Sequence, residues 1–394
     1  MAGLSTELPV QYLDSTRWRA TRTLDQTEFW QRWDALRTSV TTPFQDSCWL
    51  RDWYATLGAQ QGVEPLLVRV SHEDEDVLLL PLLVRPRHRL RELLPADLGV
   101  SDYNAPRLRP GARLSGPATH GAWTALRALL ARHGDVLRVQ KMLPVVDGQP
   151  NPLASVVEAR PSELHGHAFG MPNGWDAWRL TLTRQVRREA DRHWRVFARH
   201  PGARFGLAAD LLEARVVLDR LQDMQDRRMA GNPEYRLADA PYQAFYRRRL
   251  ENGFAAGQVV LSYLEAGGDI VAAAYGLRDA ELFVMVRTAF DGDAWKPCAP
   301  GRLLMERTFA ALADRGCRRF DIGVGAGSYK DTFNCEHVPL LEVCEALTPM
   351  GRPYAAAWHG LRRLRQLLLP SVDGMAEVGR SEERRVGKEC RSRW

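Results

Sequence analysis

Lysine is nearly absent from this 394-residue chain. Of its 54 basic residues only Lys141, Lys296, Lys330 and Lys388 are lysine, and the other 50 are arginine. Arginine and lysine are interchangeable on a solvated face, but not where a compact ammonium is required. Lys296 and Lys330 belong to the segment from 283 to 330 described below, so we treat them as candidate functional residues. The alternative is that they survive there by chance.

Cysteine pairs and metal-binding clusters are lacking as well. No Cys-x-x-Cys pair occurs, so neither a disulfide framework nor a zinc knuckle is indicated, and free thiols are predicted. The segment Cys335-Glu-His337 clusters Cys with His but offers two ligands at most, so no metal site is predicted. The six cysteines are Cys48, Cys298, Cys317, Cys335, Cys344 and Cys390.

Long apolar runs are missing too. The longest covers Val77–Val84 and contains Pro81, far short of the roughly 20 residues needed to cross a bilayer. No transmembrane helix is therefore predicted. The N-terminus carries Glu7 and Asp14, with no basic stretch followed by an apolar one, so it does not resemble a secretory signal. The cytoplasm is the expected location.

The composition is typical of a soluble globular protein, with 45% hydrophobic and 26% charged residues, and the length predicts about two domains. Residues 381–394 resemble translated vector sequence and are excluded from the predicted fold. They hold five basic and three acidic residues, so without them the net charge falls from +6 to +4. This imbalance is too mild to predict DNA as a partner. Residues 351–380 contain the amphipathic segment Leu361–Leu369.

One segment of the second half combines the signals of a ligand site. A predicted strand (282–290) leads through Pro300 and Gly301 into a helix (302–315), and a second strand (318–322) ends in a glycine-rich turn (323–330). The unpaired N–H groups and the dipole at a helix N-terminus favour a bound anion. The glycine spacing of the turn fits neither a P-loop nor a Rossmann fingerprint.

Hydrophobic periodicity predicts the other elements. In the first half we expect a helix opened by the capping box Thr42-Pro43-Phe44-Gln45, a strand hairpin (65–70 and 77–85), a helix (118–133) and a strand (135–142). A boundary between halves is expected from 146–152 to 165–174. In the second half we expect strands at 178–183, 204–208, 258–265, 270–277 and 338–346, and helices at 184–199, 210–229 and 241–253.

These segments resemble a known family. Pro300-Gly-Arg-Leu-Leu, Gly316-Cys-Arg-Arg-Phe-Asp-Ile-Gly and Gly327-Ser-Tyr-Lys330 are similar to the CelD-type (cellulose-biosynthesis-associated) acetyltransferases of the GNAT superfamily, as is Leu98-Gly-Val-Ser-Asp-Tyr-Asn-Ala-Pro106. The resemblance covers roughly residues 40 to 350. It implies an α/β (α+β) fold with two tandem GNAT-like domains, at 1–160 and 175–350, each a mixed, mostly antiparallel sheet flanked by helices.

The resemblance also implies where a donor would bind. In GNAT folds the fourth and fifth strands splay apart, and the pantetheine of acyl-CoA lies in the gap like a missing strand. The pyrophosphate would then meet the helix N-terminus formed by Pro300, Gly301, Arg302 and Leu303. No other cofactor and no metal is implied.

Three residues near the glycine turn are candidate catalytic groups. Asp321 could accept the amine proton or, equally, cap the glycine turn. The resemblance places Tyr329 where many GNAT enzymes have the tyrosine that re-protonates the thiolate, although it could be a core aromatic. Lys330 could meet a phosphate or a substrate carboxylate. In the first half, Ser101-Asp102-Tyr103 could line the facing side of the cleft or form a tight turn.

Three functions remain open at this stage. The first is N-acylation, by acyl-CoA, of an amine on a sugar or peptide precursor, for instance in exopolysaccharide or cell-envelope synthesis. The second is aminoacyl transfer from tRNA, as in the related FemAB-like ligases, because residues 296–302 hold one glycine where GNAT enzymes usually have a glycine-rich loop. The third is a non-catalytic role in polysaccharide assembly. The oligomeric state is not indicated.

The predicted helix at 184–199 carries a stripe of arginines. They recur every three or four residues, at 184, 188, 192, 195 and 199. A solvated face opposite a buried one explains this pattern. A row of guanidinium groups that binds a phosphorylated ligand explains it as well.

Overall fold

The computed structural model describes residues 11–12, 16–36, 42–114, 116–146, 148–156, 159–325 and 330–368. The strands in these ranges are β1 (Gln11–Tyr12), β2 (Trp18–Thr23), β3 (Glu64–His72), β4 (Glu75–Arg87), β5 (Leu90–Pro95), β6 (Arg107–Leu108), β7 (Ala112–Arg113), β8 (Val136–Met142), β9 (Val145–Val146), β10 (Gln149–Pro150), β11 (Arg160–Gly170), β12 (Arg204–Leu207), β13 (Val259–Ala266), β14 (Asp269–Asp279), β15 (Leu282–Phe290), β16 (Arg319–Val324) and β17 (Glu336–Ala346).

The α-helices in the same ranges vary from one turn to five. They are α1 (Gln26–Ala35), α2 (Ser47–Ala55), α3 (Pro117–His133), α4 (Pro152–Val156), α5 (Gly174–Thr181), α6 (Arg184–Phe197), α7 (Leu211–Met229), α8 (Ala240–Gly253), α9 (Pro300–Asp314) and α10 (Arg352–Leu368). None of the helices in the described ranges is long and apolar enough to cross a membrane.

Most of the strands form one long mixed sheet. Its order is β12-β13-β14-β15-β16-β11-β17-β8-β5-β4-β3-β2, with β6 paired to β4 beside this path. Neighbouring strands are antiparallel except for two parallel pairs, β15 with β16 and β5 with β8. Parallel neighbours need a crossover connection, and α9 and α3 supply the two crossovers.

The two halves of this sheet repeat one another. The first half runs β2-β3-β4-β5-β8 and the second runs β12-β13-β14-β15-β16. Two helices follow the first strand in each half, α1 and α2 in one and α7 and α8 in the other. The predicted fold class, an α+β protein with two tandem GNAT-like units, is confirmed.

The last strand of each half is exchanged. β11 closes the first half in sequence but pairs with β16 of the second half, whereas β17 closes the second half and pairs with β8 of the first. β11 and β17 then pair with each other at the centre of the sheet. Segment 165–174, expected at the boundary between halves, therefore includes the end of a central strand. The domain limits at 160 and 175 stay a prediction.

Three large buried clusters hold helices to the sheet in the described residues, and a fourth, small one packs α10 against β8 and β17. One joins the halves, because α2 and α8 pack together with Trp49 and Phe245 edge to face at 4.7 Å between ring centroids. The second lies between α9 and the strands of the second half, and the third between α3 and those of the first. Aromatic pairs of this geometry add stabilisation beyond the area that they bury.

Two local predictions were wrong. Residues 178–183, expected as a strand, lie mostly in α5, where Trp175 and Trp178 pack together at helical spacing and Trp178 stacks on Phe169 at 4.8 Å. Such short apolar runs cannot be assigned by periodicity alone. The expected capping box at Thr42 is a short 3₁₀ helix instead, and α2 begins at Ser47 because the Asp46 carboxylate accepts the Cys48 N–H at 2.7 Å.

Most other elements lie close to their predicted positions. The meander β13–β14–β15, the helix α9, the strand β16 and the hairpin β3–β4 were all expected within a few residues of their observed limits. The structure adds β2, α1 and β5, which the periodicity did not predict.

Candidate active site

In the first half, the segment around Asn104 fills the gap between the parallel strands β5 and β8. β5 and β8 pair only where Glu92 and Leu93 meet Val136 and Leu137. Beyond that point Asn104 lies in the opening, where its N–H donates to the Lys141 carbonyl at 2.8 Å and its carbonyl accepts the Leu143 N–H at 3.2 Å. The chain itself therefore occupies the place of a missing strand in the first half.

Asp97 and Ser101 anchor this segment. The Asp97 carboxylate accepts the N–H of Ser101 at 3.0 Å and forms an ion pair with Lys141 at 2.7 Å. The Ser101 hydroxyl accepts the indole N–H of Trp49 at 3.1 Å and is buried. Ser101, predicted to line the cleft, therefore bonds within the first half.

Tyr103 reaches across to the second half. Its hydroxyl donates to Asp321 Oδ2 at 2.6 Å, and the N–H of Gly323 donates to Asp321 Oδ1 at 2.7 Å. All three residues are buried. Asp321 thus caps the glycine turn, one of its two predicted roles, and also receives a hydrogen bond that links the halves.

Asp102 lies against the same turn. A Cβ placed on Gly323 would lie only 2.9 Å from Asp102 Oδ2, and Gly323 has φ +81, so glycine suits this position on both counts. Burial raises the pKa of Asp102 to about 7, and the nearby Asp321 carboxylate adds to the rise while Lys141 opposes it. Burial also raises the pKa of Asp321, against the hydrogen bonds from Tyr103 and Gly323.

Lys330 closes the glycine turn. Its ammonium donates to the carbonyls of Gly323 and Gly325, each at 3.0 Å, and the residue is only 3% exposed. Burial lowers its pKa, and the carboxylates of Asp102 and Asp321 oppose that change. A compact ammonium fits between these two carbonyls, which agrees with the presence of a lysine in a chain where arginine is the default cation.

The parallel pair of the second half opens next to Asp321. β15 and β16 pair where Leu282, Phe283 and Val284 meet Arg319, Phe320 and Asp321, and no later pair between them occurs in the described residues. The pairing of β15 with β14 shifts by one residue between Met285 and Arg287. A bulge of this kind bends a strand, so it marks the place where β15 leaves β16.

The start of α9 follows β15 in the chain. Ala299 precedes it in the left-handed conformation with φ 45, Pro300 is the first residue, and no side chain caps the helix. The predicted donor-binding residues Pro300 and Gly301 therefore lie at a helix N-terminus with unbonded N–H groups, which suits an anion. Leu303 belongs to the buried core.

The side chain of Arg302, a third predicted donor-binding residue, forms ion pairs within the protein. Its guanidinium contacts Glu306 at 3.1 Å and Glu189 at 3.4 Å and so connects α6 to α9. Four arginines of the stripe on α6, Arg184, Arg188, Arg192 and Arg195, are exposed, and the first three line an open groove of about 480 Å³. Ala190 and Phe197 are buried on the opposite face. Both interpretations of the arginine stripe are compatible with this arrangement.

The structure thus brings together four of the predicted residues, Asp102, Tyr103, Asp321 and Lys330. Tyr329 lies outside the described residues. Sequence reasoning missed Asp97 and Lys141, which hold the first-half segment, and a group of three histidines beside the glycine turn. The signal for the histidines was His165-Gly-His167, because residues two apart on a strand share a face. The third, His337, is distant in sequence.

A comparison with protein families identifies the segment that contains this gap. Residues 184–331 match the acetyltransferase (GNAT) domain. This range holds the β15–β16 pair, α9 and the glycine turn. No curated protein sequence matches the chain.

Solved structures share the fold of nearly the whole chain at low identity. FemX matches with a TM-score of 0.54 and 8% identity over 82% of this chain and 96% of its own. The C-terminal domain ascribed to a lysylphosphatidylglycerol synthetase of Agrobacterium fabrum matches with 0.52 and 12% over 85% and 95%. A conserved protein of unknown function from Bacteroides thetaiotaomicron matches with 0.50 and 10% over 82% and 98%.

Proposed function

We propose that this protein transfers an acyl group from acyl-CoA to an amine of a sugar or peptide precursor. The GNAT domain match over residues 184–331 is the observation that carries this proposal. That range contains the parallel pair β15–β16, whose strands separate after Val284 and Asp321, and the helix α9, whose N-terminus has no side-chain cap. GNAT enzymes as a family use acyl-CoA. A role in exopolysaccharide or cell-envelope synthesis is part of the proposal and rests on the sequence resemblance.

The donor would bind in the second half only. In the first half Asn104 occupies the corresponding gap. In the second half the acyl-pantetheine would lie along β15 past Val284, with the pyrophosphate against the N–H groups of Gly301 and Arg302. Glu189 of α6 forms an ion pair with Arg302 in the first turn of α9. The exposed arginines of α6 therefore lie on a helix next to this end of the gap.

The paired carboxylates would divide the acid–base work. Asp321 has both oxygens hydrogen-bonded, which supports a fixed position for this carboxyl group. Asp102 has a pKa of about 7, close to the optimum for a general base at neutral pH. We therefore favour Asp102 as the group that removes a proton from the attacking amine, with Asp321 and Tyr103 as positioning residues.

Re-protonation of the CoA thiolate completes the reaction. The attacking amine adds to the thioester carbonyl, the C–S bond breaks, and the proton released from nitrogen must be balanced by one delivered to sulfur. Tyr329 remains our proposed proton donor, on the strength of the sequence resemblance.

Aminoacyl transfer from tRNA is the second candidate function. The single glycine between residues 296 and 302 favours it, because a pyrophosphate then has fewer closely approachable N–H groups. The FemX-like fold is compatible with this candidate and with the first.

Titration calorimetry with acetyl-CoA and longer acyl-CoA species tests the donor. We expect saturable binding and a raised Tm, because a ligand that binds only the native state stabilises it. No heat at millimolar concentrations of several acyl-CoA species would reject the proposal. Binding of aminoacyl-tRNA would then favour the ligase, and binding of neither would favour the assembly role.

A matched pair of variants locates the donor. Gly301→Asp places a carboxylate at the helix N-terminus, where it suits the helix dipole but repels a pyrophosphate. Gly301→Ala brings the same crowding against Phe290, which a Cβ would approach to 3.2 Å, without the charge. We expect acyl-CoA to bind at least about tenfold more weakly to Gly301→Asp than to Gly301→Ala, or about 1.4 kcal/mol.

A further inference from the structure

Three imidazoles converge where the exchanged strands pair. His167 on β11 lies directly opposite His337 on β17, and His165 is two residues before His167 on the same strand. The ring centroids are 4.1 Å apart for His165 and His337, 4.8 Å for His165 and His167, and 5.2 Å for His167 and His337. Directly opposed and alternate residues of paired strands share a face. The pairing of β11 with β17 therefore brings the three rings together.

We propose that His165, His167 and His337 bind a divalent transition-metal ion, with Zn²⁺ as the best-fitting case. One ring nitrogen from each residue lies within 4.8 Å of the other two. A tetrahedral zinc ion with Zn–N distances of 2.0–2.1 Å needs these nitrogens about 3.4 Å apart. His337 is exposed and His165 half-buried, so rotation of these two side chains toward the buried His167 would have to close the difference.

The turn next to His167 supports this role. Its Nδ1 lies 3.4 Å from the carbonyl oxygen of Gly323. An Nδ1–H directed at that carbonyl leaves Nε2 with its lone pair available for the metal, the arrangement in which a carbonyl orients a metal-binding histidine. Nitrogen ligands suit zinc, copper, nickel and iron rather than magnesium or calcium, which sets the class of the ion.

Lys330 is a charged neighbour of the cluster. Its ammonium shares the Gly323 carbonyl with His167 and is also held by the Gly325 carbonyl. A cation so close weakens metal binding. We therefore expect micromolar rather than picomolar affinity, and Lys330 is left unchanged in the experiments below.

A metal ion bound at this position has two expected effects. It connects β11 of the first half to β17 of the second, so it stabilises the exchanged strand pair. Three protein ligands leave the fourth position of a tetrahedral ion open, and His167 contacts the turn that Asp102 and Lys330 also contact. The ion therefore lies beside the candidate active site with a coordination position available to water or another ligand.

Metal titration of the full chain, made without a polyhistidine tag and dialysed against a chelator, tests the proposal. Zn²⁺ is added in the calorimeter, and Co²⁺ is added while its visible absorption is recorded, because a tetrahedral nitrogen site changes that spectrum. We expect one ion per chain and a higher Tm with Zn²⁺ than with chelator. Absence of stoichiometric Zn²⁺ binding would overturn the proposal.

Variants assign the ligands. His337→Ala removes an exposed ring, so folding is preserved, and we expect Zn²⁺ affinity to fall about 100-fold or more and the Zn²⁺-dependent rise in Tm to disappear. His120→Ala removes an exposed histidine of α3 and should leave both unchanged. Cys335→Ser separates thiol binding from imidazole binding and should keep the parent affinity. Parent-like Zn²⁺ binding by His337→Ala, or loss of binding in Cys335→Ser alone, would show that the histidines are not the site.

Discussion

At the scale of single residues, the half-buried Asp102 and the buried Asp321 are two carboxyl groups in different environments. Asp321 receives two short hydrogen bonds, from Tyr103 and Gly323. Asp102 is pressed against the Gly323 turn with its pKa raised to about 7. Two titratable groups whose environments differ in this way commonly divide acid and base roles.

The pH profile of Asp102 is the first prediction. Only the carboxylate can accept a proton, so kcat/KM for acyl transfer should rise through about pH 7 and level off above it. Asp102→Asn should lower kcat about 10²- to 10⁴-fold and remove this rise. A release assay for free CoA with a panel of amines measures both. An unchanged profile in the variant would assign the base elsewhere.

Ionisation of Asp102 should increase activity but decrease the stability of the fold. Burial disfavours its charged form in the folded state, so its contribution to stability is complete below its ordinary pKa of 3.8 and is lost as the pH rises through about 7. Asp102→Asn should therefore raise Tm relative to the parent at pH 8 and leave it similar at pH 4. Thermal unfolding at the two pH values provides the measurement.

Lys330 gives a third prediction at this scale. Lys330→Met keeps the length of the side chain but leaves the carbonyls of Gly323 and Gly325 without their ammonium, so unfolding free energy should fall by about 1–3 kcal/mol. Lys330→Arg should also be less stable, because a planar guanidinium does not fit the place of a buried ammonium. Denaturant unfolding compares the three proteins. Equal stability of the arginine variant would mean that lysine survives there by chance.

At the scale of elements, β11 is where the halves depend on one another most closely. Gly166 on this strand lies under Tyr103, and a Cβ at Gly166 would come within 2.1 Å of the Tyr103 hydroxyl oxygen. A side chain here would push Tyr103 away from Asp321. The glycine therefore allows the hydrogen bond between the halves.

Gly166→Ala is the corresponding prediction. Overpacking of this kind should lower unfolding free energy by about 1–3 kcal/mol and reduce activity through the displaced Tyr103. Gly170→Ala on the same strand is the control, since its Cβ would meet nothing closer than 3.9 Å. The cost of Gly166→Ala should shrink in a Tyr103→Phe background, which lacks the clashing oxygen. An equal cost in both backgrounds would place the clash elsewhere.

At the scale of the whole molecule, exchange of β11 and β17 makes the sheet a single cooperative structure. Neither half of the chain contains all the strands of its half-sheet. In the second half, β16 pairs with β11 of the first half, and β17 pairs with both β8 and β11 of the first half. The GNAT domain match over residues 184–331 therefore covers a segment whose strand β16 pairs with β11, which lies outside it.

The fragment 175–350 tests this dependence. Expressed alone, it lacks β8 and β11 and should be insoluble or aggregated, because edge strands with open hydrogen-bonding groups associate. Co-expression with residues 1–174 should restore a soluble complex that unfolds in one transition. Circular dichroism and calorimetry follow both. A fragment that folds cooperatively on its own would contradict the role assigned to the exchanged strands.

The sequence by itself determined the local structure of the second half and much of its site. The strand β15, the helix α9 and the strand β16 follow from hydrophobic periodicity, proline and glycine, which act over a few residues. The rarity of lysine singled out Lys330, and the family resemblance named Asp102, Tyr103 and Asp321. These signals are local, so a single chain displays them.

Only the tertiary structure decided how these parts combine. Residues 178–181 are helical, and Trp178 stacks there on Phe169, a contact that no local pattern reveals. Tyr103 and Asp321 are 218 positions apart, and their hydrogen bond depends on how the halves pack. The exchange of β11 and β17, and with it the meeting of His165, His167 and His337, results from long-range strand pairing. Periodicity identifies a strand and its buried face but not its partner, because backbone hydrogen bonds are the same for every residue.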